Sequence, residues 1–332
     1  MKEEEVEMGY SGWSDDAYKH ISTPRRSMDA DAVRSKVFST SLKPSLDPKG
    51  VKVRESRDST DHPESNAIGV LFDVTGSMGS VPIEFAQHKL GGLMTMLVEK
   101  GVIPHPQVLM GAIGDAYTDT TPFQVGQFES GIEMDKCLTD IYIEGNGGGQ
   151  VSESYGLAHY FFARHTATDC WEKRGKKGYL FTLGDEMVHP QITSEEALAI
   201  FGDTLQADEK VVDLIRECES RYNVFHIVVG KTSHGDEPRI LAHWRELLNE
   251  RALKLDQPEN VCEMIAATIG LCEGHSIDDV GAVLRGAGAS AGAVKSVTGA
   301  IVPLRDALAR SAPGSIVGDL PASDKSGGTV RL

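Results

Sequence analysis

The chain has 332 residues, of which 40% are hydrophobic and 25% are charged, as is typical of a globular protein that buries a sizeable core. Its 49 acidic and 33 basic side chains give a formal net charge of −16, which argues against nucleic acid as a partner because phosphates would be repelled. No apolar run is long enough to span a bilayer.

The five cysteines form no C-x-x-C pair and have no histidine at zinc-binding spacing. Their odd number and wide spacing indicate reduced thiols inside a cytosolic protein. The first residues, MKEEEVEM, are acidic and differ from the basic start and apolar stretch of a secretory signal. We therefore expect a cytoplasmic protein.

Residues 1–65 are polar and contain four prolines, a composition that favours an N-terminal arm over a core-forming segment. Two patches, residues 13–21 and 30–38, contain enough apolar side chains to become ordered. We expect Trp13 and Tyr18 to pack against the rest of the protein, since large aromatic side chains are usually covered.

The next stretch, residues 67–80, reads AIGVLFDVTGSMGS and organises the rest of the chain. Its apolar first part, residues 67–72, predicts a buried strand of a parallel sheet. Asp73, Thr75 and Ser77 follow at every second position, so that one carboxylate and two hydroxyls can face the same point. Such an all-oxygen set suits a hard divalent cation, Mg²⁺ above all, with Mn²⁺ or Ca²⁺ as substitutes.

This stretch resembles the metal-ion-dependent adhesion site (MIDAS) of von Willebrand factor A (vWA) domains, whose first loop reads Asp, any residue, Ser or Thr, any residue, Ser. The resemblance implies a site in which Thr75 and Ser77 contact the cation directly and Asp73 acts largely through water. In the alternative interpretation, the stretch is a polar strand-to-helix turn in which Thr75 or Ser77 only caps the next helix.

The residues that follow predict alternating helices and strands. Helical spacing of apolar residues predicts an amphipathic helix over residues 83–99, and a second buried strand is predicted over residues 107–113. Residues 123–128 predict a short edge strand and residues 132–141 a helix. A glycine-rich loop then leads into a buried helix over residues 155–162.

The glycine-rich loop lies where vWA domains have their second metal loop, and its sequence GGGQVSE resembles a branch with Asp and Pro-Glu there. Gln150 stands where the Asp would lie, and Ser152 where the Pro would. Gln150 could coordinate the cation through its amide oxygen. Ser152 is expected to cap the helix, and Glu153 could do the same.

Residues 178–183, GYLFTL, predict the next buried strand, which ends in Gly184, Asp185 and Glu186. The third metal loop of vWA domains carries an Asp at this strand end. The resemblance therefore assigns Asp185 to the cation, largely through water, with Glu186 as an outer neighbour. In the alternative interpretation, Asp185 only caps backbone groups at the start of the loop.

A further strand is predicted over residues 223–229. Helices are predicted over residues 195–200, 209–218, 240–250 and 259–272. His226, in the middle of the strand, is expected to be a core histidine rather than a ligand. In the loop of residues 230–237, His234 and Asp236 could shape the rim of the site, although most such loops are simply solvated.

Strands that alternate with amphipathic helices predict one α/β domain over residues 66–275, doubly wound, with a mostly parallel central sheet and helices on both faces, as in vWA and Rossmann-like folds. Residues 276–332 are rich in Gly and Ala and predict a C-terminal tail with weak helices. Because parallel strands end at one edge of a sheet, the loops that contain Asp73, Gly147 and Asp185 should meet there.

The resemblance implies a non-catalytic module that binds an acidic side chain, Asp or Glu, of a protein partner through the cation. Intracellular relatives often serve AAA+ ATPases as adaptors, and this chain has no Gly-x-x-x-x-Gly-Lys-Ser/Thr loop, so the ATPase would be a separate protein. One alternative is a structural or assembly subunit with a vestigial site. Another is a Mg²⁺-dependent phosphatase, because FDVTGS also resembles the first motif of haloacid dehalogenases, although Thr75 replaces their general-acid Asp.

Overall fold

A computed structural model describes residues 12–85, 90–145 and 151–311 of the chain. The described strands are β1 (Arg54–Ser56), β2 (Asn66–Asp73), β3 (Pro106–Ile113), β4 (Phe123–Glu129), β5 (Ser152–Glu153), β6 (Thr166–Thr168), β7 (Gly178–Gly184), β8 (Met187–Val188), β9 (Gln191–Ile192), β10 (Glu209–Lys210), β11 (Tyr222–Val229) and β12 (Ala252–Leu255).

The described α-helices are α1 (Asp15–Arg26), α2 (Ala30–Lys36), α3 (Val81–Glu84), α4 (Leu90–Met94), α5 (Glu133–Asp140), α6 (Gly156–Arg164), α7 (Asp169–Glu172), α8 (Ser194–Glu196), α9 (Val211–Glu219), α10 (Pro238–Leu248), α11 (Val261–Cys272), α12 (Ile277–Gly286), α13 (Ala291–Ala300) and α14 (Val302–Ser311). Helices α4 and α8 each continue as one turn of π-helix, Thr95–Glu99 and Ala197–Phe201.

Six of the described strands form the central sheet, in the order β12, β11, β7, β2, β3, β4. Neighbouring strands are parallel except for β4, which runs antiparallel to β3 at the edge. The predicted α/β fold with a mostly parallel central sheet is therefore confirmed. Because β2 and β7 are adjacent and in register, with Phe72 opposite Leu183, their carboxyl ends meet at one edge.

Each face of the central sheet has its own hydrophobic core. Along β2, Val70 and Phe72 contribute to the core that contains most of α11, and Leu71 contributes to the core that contains α6. This alternation follows from the two-residue period of side chains along a strand. Helix α6 approaches β2 closely because Gly69 has no side chain, and a Cβ at that position would overlap the ring of Phe162.

The N-terminal part of the described chain differs from the expected polar arm. Four of its side chains are at most 4% exposed and belong to the core that contains most of α11: Tyr18, Val33, Phe38 and Leu46. The predicted packing of Trp13 and Tyr18 is confirmed, because the Trp13 ring lies 5.1 Å from that of Tyr18 and contacts the same core. Because this stretch is mostly polar, its few widely spaced apolar side chains did not predict that it packs against the hydrophobic core.

The C-terminal part also differs from the expectation, since residues 277–311 form three helices where a tail with weak helices was predicted. Helix α12 begins with a capping box between Ser276 and Asp279, and α13 is capped by Ser290. Five side chains of this segment are nearly inaccessible to solvent in the core that contains most of α11: Val280, Leu284, Val297, Ile301 and Leu304. The Gly and Ala content obscured this apolar periodicity.

None of the described helices is both long and apolar enough to cross a membrane. All five cysteines lie within the described residues, and each is a free thiol. Three of them, Cys170, Cys218 and Cys262, are buried.

Candidate metal centre

The side chain of Asp73 lies at the carboxyl end of β2 and is completely buried. Its Oδ1 accepts hydrogen bonds from the backbone N–H and the hydroxyl of Thr75, at 2.8 and 2.6 Å. Its Oδ2 accepts a hydrogen bond of 2.6 Å from the hydroxyl of Tyr155. The aspartate is therefore held rigidly at the strand end by groups on two different segments of the chain.

The hydroxyls of Thr75 and Ser77 face each other, with 3.1 Å between Thr75 Oγ1 and Ser77 Oγ. The Thr75 side chain makes no capping hydrogen bond to the short 3₁₀-helix Gly76–Met78 that follows it. Ser77 Oγ donates instead to Oδ1 of Asp185, at 2.7 Å. The turn after β2 and the turn after β7 thus contact each other through the side chains singled out from the sequence.

Asp185 is also completely buried, and its Oδ2 accepts a hydrogen bond of 3.1 Å from the backbone N–H of His234. Ser233, in the same loop after β11, donates its backbone N–H to the carbonyl oxygen of Ser77, at 3.2 Å. Three loops at one edge of the sheet are therefore joined at Ser77 and Asp185. The structure brings Asp73, Thr75, Ser77 and Asp185 together, and Gln150 lies outside the described residues.

Tyr155 holds Asp73 in place, and Gly184 leaves the space that Tyr155 needs. A Cβ on Gly184 would overlap the Tyr155 hydroxyl, so only glycine leaves room for the hydrogen bond from Tyr155 to Asp73. The Tyr155 ring packs edge-on against His226 and Trp244. His226 is buried and stacks on Trp244 with 3.6 Å between ring centroids, so its predicted place in the core is confirmed.

Two glutamates that the sequence interpretation gave minor roles are buried at this site. Glu153 is 2% exposed and Glu186 is 3% exposed, and the Oε2 atom of each has no hydrogen-bond partner among the described residues. Glu153 lies on β5, which pairs with β8 directly after Glu186. The sequence offered one signal for such a role, the run Gly184, Asp185, Glu186 at the end of a buried strand. Two successive carboxylates are costly to bury, so their presence there needs an explanation.

The electrostatics of the site show that its negative charge is poorly compensated. Burial raises the pKa of Asp73 to about 7, with a further contribution from Asp185, while the hydrogen bonds from Thr75 and Tyr155 act in the opposite direction. Burial and then the charges of Asp73 and Asp185 raise the pKa of Glu186 to about 7. Burial, followed by the charge of Asp73, raises the pKa of Glu153 to about 11.

Within the parts of the chain that the structure describes, no three His, Cys, Asp or Glu side chains are grouped so that they could hold a metal ion by themselves. A cation here would need the hydroxyl oxygens of Thr75 and Ser77 together with carboxylates. Such a donor set contains oxygen only and fits Mg²⁺, Mn²⁺ or Ca²⁺ better than a softer transition metal. The orphaned Oε2 atoms of Glu153 and Glu186 are unsatisfied acceptors that a cation could complement.

Ser77 also borders an open cleft of about 610 Å³ between the turn after β2 and the loop after β11. The cleft is lined by Gly76, Ser77, Met78, Gly79, Ser80, Val81, Glu84, Lys231, Thr232, Ser233, Pro258 and Glu259. Ser77 is half-buried whereas Asp73 and Asp185 are inaccessible, so a molecule in the cleft would meet the hydroxyl first.

A scan of protein-family models and a search of curated protein sequences find no match to the chain. Solved structures similar to it include the pilus adhesin SpaC from Lactobacillus rhamnosus GG in its open conformation, with a TM-score of 0.43 and 10% identity over 65% of this chain and 31% of the adhesin. Proximal thread matrix protein 1 from the mussel byssus matches with a TM-score of 0.40 and 10% identity, over 65% of this chain and 48% of that protein. The aligned part spans less than half the length of either protein.

Proposed function

We propose that this chain is a non-catalytic protein-interaction module of the vWA type, which binds an acidic side chain of a partner through Mg²⁺ at a MIDAS-like site. The observation that carries the proposal is the 2.7 Å hydrogen bond between Ser77 Oγ and Asp185 Oδ1, which joins two turns 108 residues apart in the chain. The doubly wound vWA arrangement is part of the proposal, supported by the parallel strands β2 and β7 and by cores on both faces of the sheet.

In this proposal, Thr75 and Ser77 would hold the cation directly, and Asp73 and Asp185 would act largely through water. Mn²⁺ or Ca²⁺ could replace Mg²⁺ because the donor atoms are all oxygens. When bound, the cation supplies a positive charge that attracts a carboxylate entering from the cleft beside Ser77. Gln150 stays a predicted further ligand.

The partner is a protein that presents an Asp or Glu side chain to the cleft. Lys231 is exposed on the cleft lining and its ammonium would attract an incoming carboxylate, whereas Glu84 and Glu259 on the same lining would oppose it. A separate AAA+ ATPase is one such partner, and a cytoplasmic location belongs to the same proposal.

The geometry of Asp73 favours a binding site over a phosphatase. A phosphatase nucleophile needs a free carboxylate oxygen in contact with substrate, whereas both oxygens of Asp73 accept hydrogen bonds and the side chain is inaccessible. If a generic aryl phosphate were nevertheless hydrolysed with Mg²⁺, and Asp73→Asn abolished the turnover, the enzyme alternative would replace this proposal.

Metal titration of the purified protein tests the proposal. Isothermal titration with Mg²⁺ or Mn²⁺ should show one bound cation, and Ser77→Ala should weaken its binding by about tenfold or more, because a direct ligand is lost. Ser80→Ala is the matched control, since Ser80 is an exposed hydroxyl on the same turn that contacts Glu84 instead of the site. Absence of binding in the wild type, or equal binding by wild type and Ser77→Ala, would refute a metal-dependent site and favour a structural subunit.

A further inference from the structure

A second open cleft lies beside the connection from β3 to β4. Its volume is about 480 Å³, within the roughly 300–1,000 Å³ of typical ligand sites. Its walls come from three segments that are far apart in the chain: residues 42–49 before β1, residues 116–123 between β3 and β4, and residues 195–200 at α8 and its π-helical turn. The lining shares no described residue with the cleft beside Ser77, so the two clefts are separate surfaces.

Part of this second cleft is lined by apolar side chains that solvent can reach. Leu42, Ala116, Pro122 and Ile200 are half-buried, and Ala199 is exposed. Leu42 packs on the core that contains most of α11, whereas Ala116 and Ile200 pack on the core that contains α6. The described chain therefore leaves apolar surface uncovered where side chains from both cores meet, and covering such surface is favourable by about 25 cal/mol per Å².

The rest of the lining carries negative charge that the protein does not balance. Each wall supplies a carboxylate, since Asp47, Asp119, Glu195 and Glu196 line the cleft together with one ammonium, that of Lys49. Within the described parts of the chain, none of the four carboxylates lies at salt-bridge distance from a basic side chain. Oδ2 of Asp119 accepts a backbone N–H, but its Oδ1 has no hydrogen-bond partner among the described residues. The cleft therefore combines apolar surface with an excess of negative charge.

We propose that this cleft docks a segment of a protein partner that carries a Lys or Arg beside an apolar side chain. The apolar side chain would cover Leu42 and Ile200, and the cation would lie near Asp47 and Glu195, whose side chains solvent can reach. Charge complementarity selects this occupant, because a neutral segment would leave the carboxylates unpaired and an acidic one would be repelled. A second copy of this chain, with its net charge of −16, is disfavoured for the same reason.

This docking site goes beyond the proposed function, since it needs no metal ion and selects the opposite charge. The two can therefore fail independently. Peptide binding at the second cleft should be the same in Mg²⁺ and in EDTA, whereas the proposed function depends on the cation. Binding that disappears in EDTA would overturn the separate docking site and place the peptide at the metal centre.

The test uses the full chain and acetylated, amidated pentapeptides of the sequence Gly-Leu-Xaa-Leu-Gly, in which Xaa is Arg, Lys, Gln or Glu. Calorimetric titration should show that the Arg and Lys peptides bind about fivefold or more tightly than the Gln peptide, and that the Glu peptide binds most weakly. The preference should shrink in about 0.5 M NaCl because salt screens exposed charges. Equal affinity for the Arg and Gln peptides, or no binding of the Arg and Lys peptides, would overturn the inference.

A charge-neutralised variant locates the peptide. The double variant Asp47→Asn, Glu195→Gln should lose about fivefold in affinity for the Arg peptide and little for the Gln peptide, because two exposed carboxylates are neutralised without a change of shape. Asp213→Asn, Glu246→Gln is the matched control: it removes the same charge from exposed positions on α9 and α10, outside the cleft lining, and should bind like the wild type. Equal losses in the two double variants would mean that the peptide responds to net charge alone, and the docking site would be refuted.

Discussion

The carboxylates buried in two regions of this protein have their negative charge balanced in different ways. Between α1 and α5, Asp135 forms an ion pair with Arg25 through both of its oxygens, and the two side chains are 7% and 6% exposed. At the end of β2 and β7, Asp73 and Asp185 are equally inaccessible, but no lysine or arginine of the described residues pairs with them. The first region has its own counter-charge, whereas the second has no lysine or arginine counter-ion among the described residues.

The direction of the pKa shifts follows the same division. Near the start of β2, Asp58 accepts hydrogen bonds from Arg174 and Ser65, which lower its pKa against the opposing effect of burial. At the candidate metal centre, burial and neighbouring carboxylates raise the pKa of Asp73 and Glu186. Buried acids are therefore informative about binding only where the protein supplies no counter-charge of its own.

The largest expected effect comes from breaking the completed pair. Arg25→Met leaves Asp135 buried without its guanidinium, and we expect the free energy of unfolding to fall by about 3–5 kcal/mol. Urea unfolding measures this change. The double variant Arg25→Met, Asp135→Leu should recover most of the loss, because no charge then remains buried; a single variant that costs less than about 1 kcal/mol would show that the pair is not the anchor of α1.

The next largest effect on stability should come from Mg²⁺, which would add a positive charge to the candidate metal centre. Mg²⁺ at about one hundred times its dissociation constant should raise the free energy of unfolding by about 2.7 kcal/mol in the wild type, and Ser77→Ala should lose most of that increment. Arg25→Met is the cross-control, since it should keep the full Mg²⁺ increment although it is less stable. An increment of equal size in Ser77→Ala would place the cation elsewhere.

A third effect concerns Gly184 and Tyr155, which position Asp73. Gly184→Ala places a methyl group against the Tyr155 hydroxyl, so we expect a loss of about 1–3 kcal/mol in stability and weaker binding of Mg²⁺. Gly299→Ala is the matched control: a Cβ there meets no atom within 4 Å in helix α13, and alanine should stabilise the helix by up to about 1 kcal/mol. Equal stability changes in the two variants would contradict the positioning role of Tyr155.

The parts of the fold that the sequence predicted are those with strong local signals. The buried strand ending at Asp73 and the helix α6 were recognisable from continuous apolar runs, and the parallel sheet followed from alternating strands and helices. The short strand β12 was missed because its four residues follow α10 almost directly and carry too few apolar positions to establish a period. The anchoring of residues 12–65 was missed because it depends on scattered side chains such as Tyr18 and Leu46.

The candidate site shows a similar limit. The proximity of Asp73, Thr75, Ser77 and Asp185 could be predicted, because strand order brings the ends of parallel strands together whatever their distance in sequence. The burial of Glu186 could not, because whether a loop carboxylate faces solvent or the interior depends on tertiary contacts such as the hydrogen bond from Trp244 to its backbone.

The smallest effect tests by pH a second carboxylate that has its own counter-charges, Asp58. Asp58→Asn should lower the free energy of unfolding by about 1 kcal/mol at pH 7. The neutral amide cannot make the charge-assisted bonds that the carboxylate makes with Arg174 and Lys173. The folded-state pKa of Asp58 lies below its unfolded value of about 3.9, so this stability is fully present above about pH 4 and is lost as the pH falls through the folded pKa. The stabilities of wild type and variant, measured by urea unfolding, should therefore approach each other as the pH falls below about 4, whereas Asp213→Asn, in an exposed pair with Arg216, should change stability by less than about 0.5 kcal/mol at pH 7. A deficit that stays constant as the pH falls would mean that Asp58 stabilises the fold through its shape rather than its charge, and that the contrast with the candidate metal centre does not rest on counter-ions.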